Sequence, residues 1–88
     1  PERVLHQLEH QEDVYRLEFL GKSAQEPVVN ELIIKNIVKV NILFANMKEI
    51  NGVVLGSMFV QILGNKQQID KAVDYLRQRG VAVNKGTL

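Results

Sequence analysis

Between Val38 and Leu63 two strand-like runs flank Asn51-Gly52, and this hairpin restricts the chain more than any other feature. Asn and Gly both tolerate the positive φ that a two-residue turn requires, so the flanking runs must pair antiparallel. In the first run, about Val38 to Lys48, Val40, Ile42 and Phe44 alternate with Asn41, Leu43, Ala45 and Met47. In the second, Val54 to Leu63, Met58, Val60 and Ile62 share one face. Period two is the spacing of a strand with two distinct faces.

The rest of the chain supplies another strand before the hairpin and two helices around it. Asp13 to Leu20 alternates, with Tyr15, Leu17 and Phe19 on one side and Val14, Arg16 and Glu18 on the other, and Gly21 ends it. Ser23 and Glu26 have the spacing of a capping box, Pro27 falls in a first turn, and Val28, Val29, Leu32, Ile33 and Ile37 form one stripe. A helix over residues 24–36 is therefore expected. After Gly64, Asn65 can cap a second helix with Ile69, Ala72, Val73 and Leu76 inward and Lys66, Asp70, Lys71, Asp74 and Arg77 outward. Gly80 occupies the C′ position, and Val81 to Val83 is expected as the last strand. Residues 1–12 read as a linker or short helix, and residues 13–88 as one domain.

The order β-α-β-β-α-β is that of the ferredoxin-like α+β fold, a four-stranded antiparallel sheet with two helices on one face. Such a sheet leaves its second face open. Alternation places Asn41, Leu43, Ala45, Met47, Leu55, Ser57 and Phe59 on that face. A patch this apolar marks an interaction site, either for another copy or for another domain. Among these residues Asn41 would be the lone amide, and a buried amide without a partner costs roughly 1–3 kcal/mol. A backbone, a facing subunit or a polar ligand should meet it. Gly56, inside a strand, suits close approach of a neighbour or ligand.

Composition excludes several functions. Net charge is +1 from 11 Lys+Arg against 10 Asp+Glu, so no bulk attraction to nucleic acid or an anionic membrane is expected. With no cysteine there is no disulfide or thiolate chemistry within these 88 residues. No apolar run approaches the roughly 20 residues of a membrane-spanning helix. No GxxxxGK[ST] loop is present to cradle a nucleotide phosphate. His6 and His10 are i, i+4 on a possible helix but lack an evident third ligand, so they read as solvated surface rather than a metal site. Ser23 and Ser57 have no His placed near them, and no catalytic residue is assigned. The run Leu55 to Ile62 partly echoes an RNA-recognition signature through Gly56, Phe59 and Val60, but the basic residue and two stacking aromatics are replaced. The chain opens at Pro1, which is expected of a piece of a longer protein.

The stretch VNILFANMKEINGVVLGSMFVQILGN resembles the NIL domain, named for the triplet that stands here as Asn41-Ile42-Leu43. LEFLGKSAQEPVVNEL, the pair Gly52 and Gly56, Gly64 and AVDYLRQRGVAV extend the likeness over about Asp13 to Asn84. The resemblance implies an ACT-like domain at the C-terminus of the ATPase subunit of a methionine ABC importer. There, paired domains would bind L-methionine near their interface and reduce further uptake.

The resemblance further implies that Asn41 holds the ligand and Met47 lines its pocket, with Ile42, Leu43, Leu55 and Gly56 close by. It implies no cofactor in this domain, with ATP bound by the parent protein. The implied partners are a second copy and, through the parent, a membrane permease at the cytoplasmic side of the cell membrane. Two alternatives stand beside this reading: a dimerisation module without ligand, and a NIL domain from another host, such as one carrying iron–sulfur ferredoxin modules.

Overall fold

The computed structural model describes residues 14–36 and 38–86. The expectations for residues 1–12, for Asp13, for His6 and His10 and for Ile37 lie outside the described residues. Among the described residues seven elements follow one another: β1 (Val14–Leu20), α1 (Lys22–Gln25), α2 (Val28–Asn36), β2 (Lys39–Ile50), β3 (Val53–Leu63), α3 (Lys66–Gln78) and β4 (Ala82–Lys85). The strands form one antiparallel sheet in the order β2-β3-β1-β4. This is the ferredoxin-like arrangement that alternation and turn chemistry led us to expect, with β2 and β4 as its edges.

Local chemistry explains most of the boundaries. Asn51 and Gly52 take φ of 52° and 80°, the two positive values that a tight hairpin demands. Asn65 Oδ1 accepts from the Gln68 amide at 2.8 Å while Gln68 Oε1 accepts from the Asn65 amide at 2.9 Å, a reciprocal capping box at the start of α3. At its other end the Val81 amide donates to the Leu76 carbonyl and the Gly80 amide to that of Arg77. With φ of 81° at Gly80, this is a Schellman closure.

The first crossover departs from expectation. Instead of one helix over residues 24–36, a four-residue α1 ends before Glu26 and α2 starts at Val28. Ser23 does not cap a helix. Its hydroxyl accepts from the Leu20 amide at 3.1 Å and donates to the Leu20 carbonyl at 3.3 Å, tying the turn back onto β1. Pro27 supplies no amide to carry a ladder across the break, which is the physical reason for two pieces. β4 also runs later than expected, over Ala82–Lys85.

The core lies between sheet and helices. Leu17, Val60 and Ile62 from the central strands meet Leu32 of α2 and Ala72 and Leu76 of α3, all essentially without solvent exposure. No residue of β2 is buried. The helices cover β1, β3 and β4 and leave the β2 edge uncovered.

Candidate functional site

Exposed apolar side chains concentrate on the hairpin of β2 and β3. Ile42, Phe44, Met47 and Ile50 of β2 are each about half exposed, and Val53 and Leu63 at the ends of β3 join them. Over β1 and β4 the open face is mixed: Arg16 and Glu18 pair at 3.3 Å beside Ala82 and Asn84, and the exposed Leu20 stands at the end of β1 opposite Leu55. The unsatisfied surface is thus the β2 side of the sheet.

The register of β2 on β3 assigns each candidate residue to a face. Ile42 pairs with Val60, yet Phe44 pairs with Phe59, so Leu43 is the extra residue of a β-bulge. Directly opposed residues in an antiparallel pair share a face. Before the bulge, Asn41 opposes Gln61 on the open face and Ile42 lies on the helix side with Val60. Beyond it the parity reverses. Phe44, Asn46 and Lys48 oppose Phe59, Ser57 and Leu55 on the open face, whereas Ala45 and Met47 oppose Met58 and Gly56 on the helix side.

This corrects the alternation-based assignment of Ala45 and Met47 to the open face with Asn41. Nor is Asn41 the lone polar group there, because Gln61 stands opposite it and Asn46, Ser57, Arg16 and Glu18 share the face. The rows next to one another include an edge-to-face pair of Phe44 and Phe59, 6.4 Å between centroids. Leu55 lies on the open face, half-buried, at the wall of a broad depression of about 560 Å³ that also touches Lys48 and Glu18.

Of the six candidates, the structure brings Met47 and Gly56 together and separates Asn41 from both. The side chain of Met47 lies over Gly56, where an added Cβ would collide with the thioether. Beneath them a cleft of about 150 Å³ runs between the helix side of the sheet and the first crossover. Phe19, Ala24, Pro27, Val28, Met47 and Met58 are among its walls. These are the only two methionines in the chain, and both face the same small space. Soft, unbranched thioethers suit a slot that must adapt to an apolar side chain.

Sequence reasoning missed Met58, Phe19 and the crossover residues as cleft walls. The signal for Met58 was present, since it shares its strand face with Val60, and Gly56 two residues away leaves the gap. It also missed Arg79. The Arg79 guanidinium reaches Glu31 at 2.9 Å, Glu26 at 3.4 Å and the Tyr75 hydroxyl at 2.7 Å. The hydrogen bond from Arg79 holds the Glu31 carboxyl below its ordinary value, and the bond to Glu31 in turn pushes the Arg79 guanidinium up. Spacings of 48 and 53 residues leave no local trace of these pairs.

The family model described as the NIL domain matches residues 13–85. The methionine import ATP-binding protein MetN 2 of Acinetobacter baylyi is 52% identical over 87 residues, covering 97% of this chain and 26% of its own length. The methionine import ATP-binding protein MetN of Helicobacter pylori strain 26695 is 35% identical over 74 residues, covering 84% of this chain and 23% of its own length. The chain thus spans about a quarter of the length of the curated relatives it matches. A crystal structure of the C-terminal domain of an ABC transporter/ATP-binding protein from Enterococcus faecalis superposes with a TM-score of 0.75 at 27% identity, covering 94% of this chain and 91% of that one.

Proposed function

Because this chain belongs to the NIL domain family, we propose that it is the methionine-binding regulatory domain of a methionine importer's ATP-binding subunit, and that bound methionine lowers uptake. The names of its relatives support the host. In this reading the parent subunit binds ATP outside this chain and sits against its permease on the cytoplasmic side of the membrane.

The observation that carries the methionine reading is the cleft lined by Met47 and Met58, whose wall on edge strand β2 is the half-exposed Met47. The unbranched side chain of methionine matches that slot, and its ammonium and carboxylate groups stay at the mouth. Asn41 of the same chain cannot meet them there. It lies on the other face, and five ladder steps plus a bulge place it about 17 Å or more along the strand from Met47. A second copy paired at the exposed β2 side can bring its own Asn41 amide to the cleft. A ligand held between copies favours one arrangement of the pair over others, which is what a regulatory ligand requires.

Calorimetry with L-methionine tests this. Asn41→Ala and Met47→Ala are each expected to abolish most binding. Mixing the two variants should restore about a quarter of wild-type capacity, since half the random pairs are mixed and each carries one intact site. No recovery on mixing would rule out the shared site. A second reading, a pairing module without ligand, draws on the exposed Ile42, Phe44 and Ile50 of β2. A stable dimer by light scattering, with no rise in melting temperature at millimolar methionine, would favour it.

A further inference from the structure

One arginine spans the break in the first crossover. Arg79, directly after α3, places Nη2 at 3.4 Å from Glu26, between α1 and α2, and Nη1 at 2.9 Å from Glu31, in the first turn of α2. Nη1 also donates to the Tyr75 hydroxyl at 2.7 Å, and that hydroxyl donates to Glu31 at 3.3 Å. The guanidinium lies 5.7 Å from the centre of the Tyr75 ring, within cation–π reach. Glu26, the residue that ends α1, and the first turn of α2 are therefore tied to one guanidinium.

The break is where the cleft has its helix wall. Glu26, Pro27, Val28 and Val29 line it, opposite Met47 and Met58. The four-residue α1 has no side-chain cap at Gly21; Ser23 ties its first turn to Leu20, so its start is held to β1 while its end at Glu26 is held by Arg79. Partly exposed ion pairs contribute little to global stability. Their geometry can still matter, because a planar guanidinium offers two nitrogens at a fixed spacing, one for each carboxylate.

We propose that Arg79 is a positioning residue for the cleft: by bridging Glu26 and Glu31 it sets the angle between α1 and α2, and with it the gap between the crossover and the two methionines. The role assigned to the cleft rests on the methionine-binding reading above, whereas the bridging itself does not. Arg79→Lys keeps the charge but replaces the two fixed nitrogens by one ammonium on a flexible stem, which does not hold Glu26 and Glu31 at a set spacing, and Arg79→Met removes charge and donors alike.

The 88-residue chain and both variants are compared by calorimetry with L-methionine, by thermal melting and by amide hydrogen exchange. Arg79→Lys is expected to melt close to the wild type, to bind methionine roughly tenfold more weakly, and to exchange faster across residues 22–31. Exchange in β1 and β3 should stay unchanged, which a general loss of stability would not produce. Arg79→Met should weaken binding further. Wild-type affinity in both variants, or wild-type exchange across residues 22–31, would overturn the proposal. A wild-type chain that binds no methionine would remove the ligand reading, and the exchange data would still decide whether Arg79 holds the break.

Discussion

The thioether of Met47 lies across Gly56, at a point on β3 where a methyl group could stand only if the thioether moved aside. The two are directly opposed across the edge of the sheet, so the absence of a side chain on β3 makes the resting place of the one on β2. Gly56→Ala would force the two groups apart. The group it meets is the far end of a flexible, half-exposed side chain that can swing aside, so the cost should stay within about 1 kcal/mol, a fall of at most roughly 4–8 °C in a domain of this size. Met47→Ala in the same chain should recover most of that loss. Equal destabilisation by Gly56→Ala with and without Met47, in a double-mutant cycle by thermal melting, would show that the clash lies elsewhere.

Asn41 is exposed and contributes nothing to the core. Its replacement by Ala should therefore leave folding stability within about 0.5 kcal/mol of wild type. Methionine affinity, by contrast, should fall at least tenfold, or about 1.4 kcal/mol. Denaturant titration and calorimetry on the same preparation separate the two effects.

Asn65 and Gln68 satisfy each other's backbone amides at the start of α3. Asn65→Ala removes one acceptor and should destabilise the chain by about 1 kcal/mol, with melting still a single transition. Methionine binding should be unaltered, since α3 does not line the cleft.

Glu31 is held below its ordinary value of 4.5 chiefly by the hydrogen bond from Arg79, with help from Tyr75 and Lys35. Glu26 and Lys35 are the other charged groups around this cluster. A carboxyl depressed in the native state stabilises folding above its unfolded value and loses that contribution as pH falls through the native one. The wild type should therefore lose stability below about pH 4.5 more steeply than Glu31→Gln, whose curve lacks this component. Parallel curves, followed by melting temperature from pH 7 downward, would mean that the pair does not survive in solution.

Much of this architecture is legible residue by residue. The hairpin at Asn51-Gly52, the α3 cap at Asn65, the Schellman glycine at Gly80 and the β-α-β-β-α-β order each follow from rules that act within a few residues. The break at Glu26-Pro27 was harder to see. Ser23 and Glu26 have the spacing of a cap, but the Ser23 hydroxyl turns back to Leu20 because the end of β1 lies beside it. The Arg79 bridge was invisible for a simpler reason: its partners come together only when α2 and α3 pack side by side.

The faces of β2 divide along the same line. Alternation determined that Val38 to Lys48 is a strand, and its amide and apolar positions marked it as more than a core element. Tertiary structure alone decided which residues look which way. The bulge at Leu43 arises in the pairing of two strands, and a single unpaired residue reverses the parity of everything beyond it. For that reason Asn41 and Met47, which share a face on paper, stand on opposite sides of the sheet.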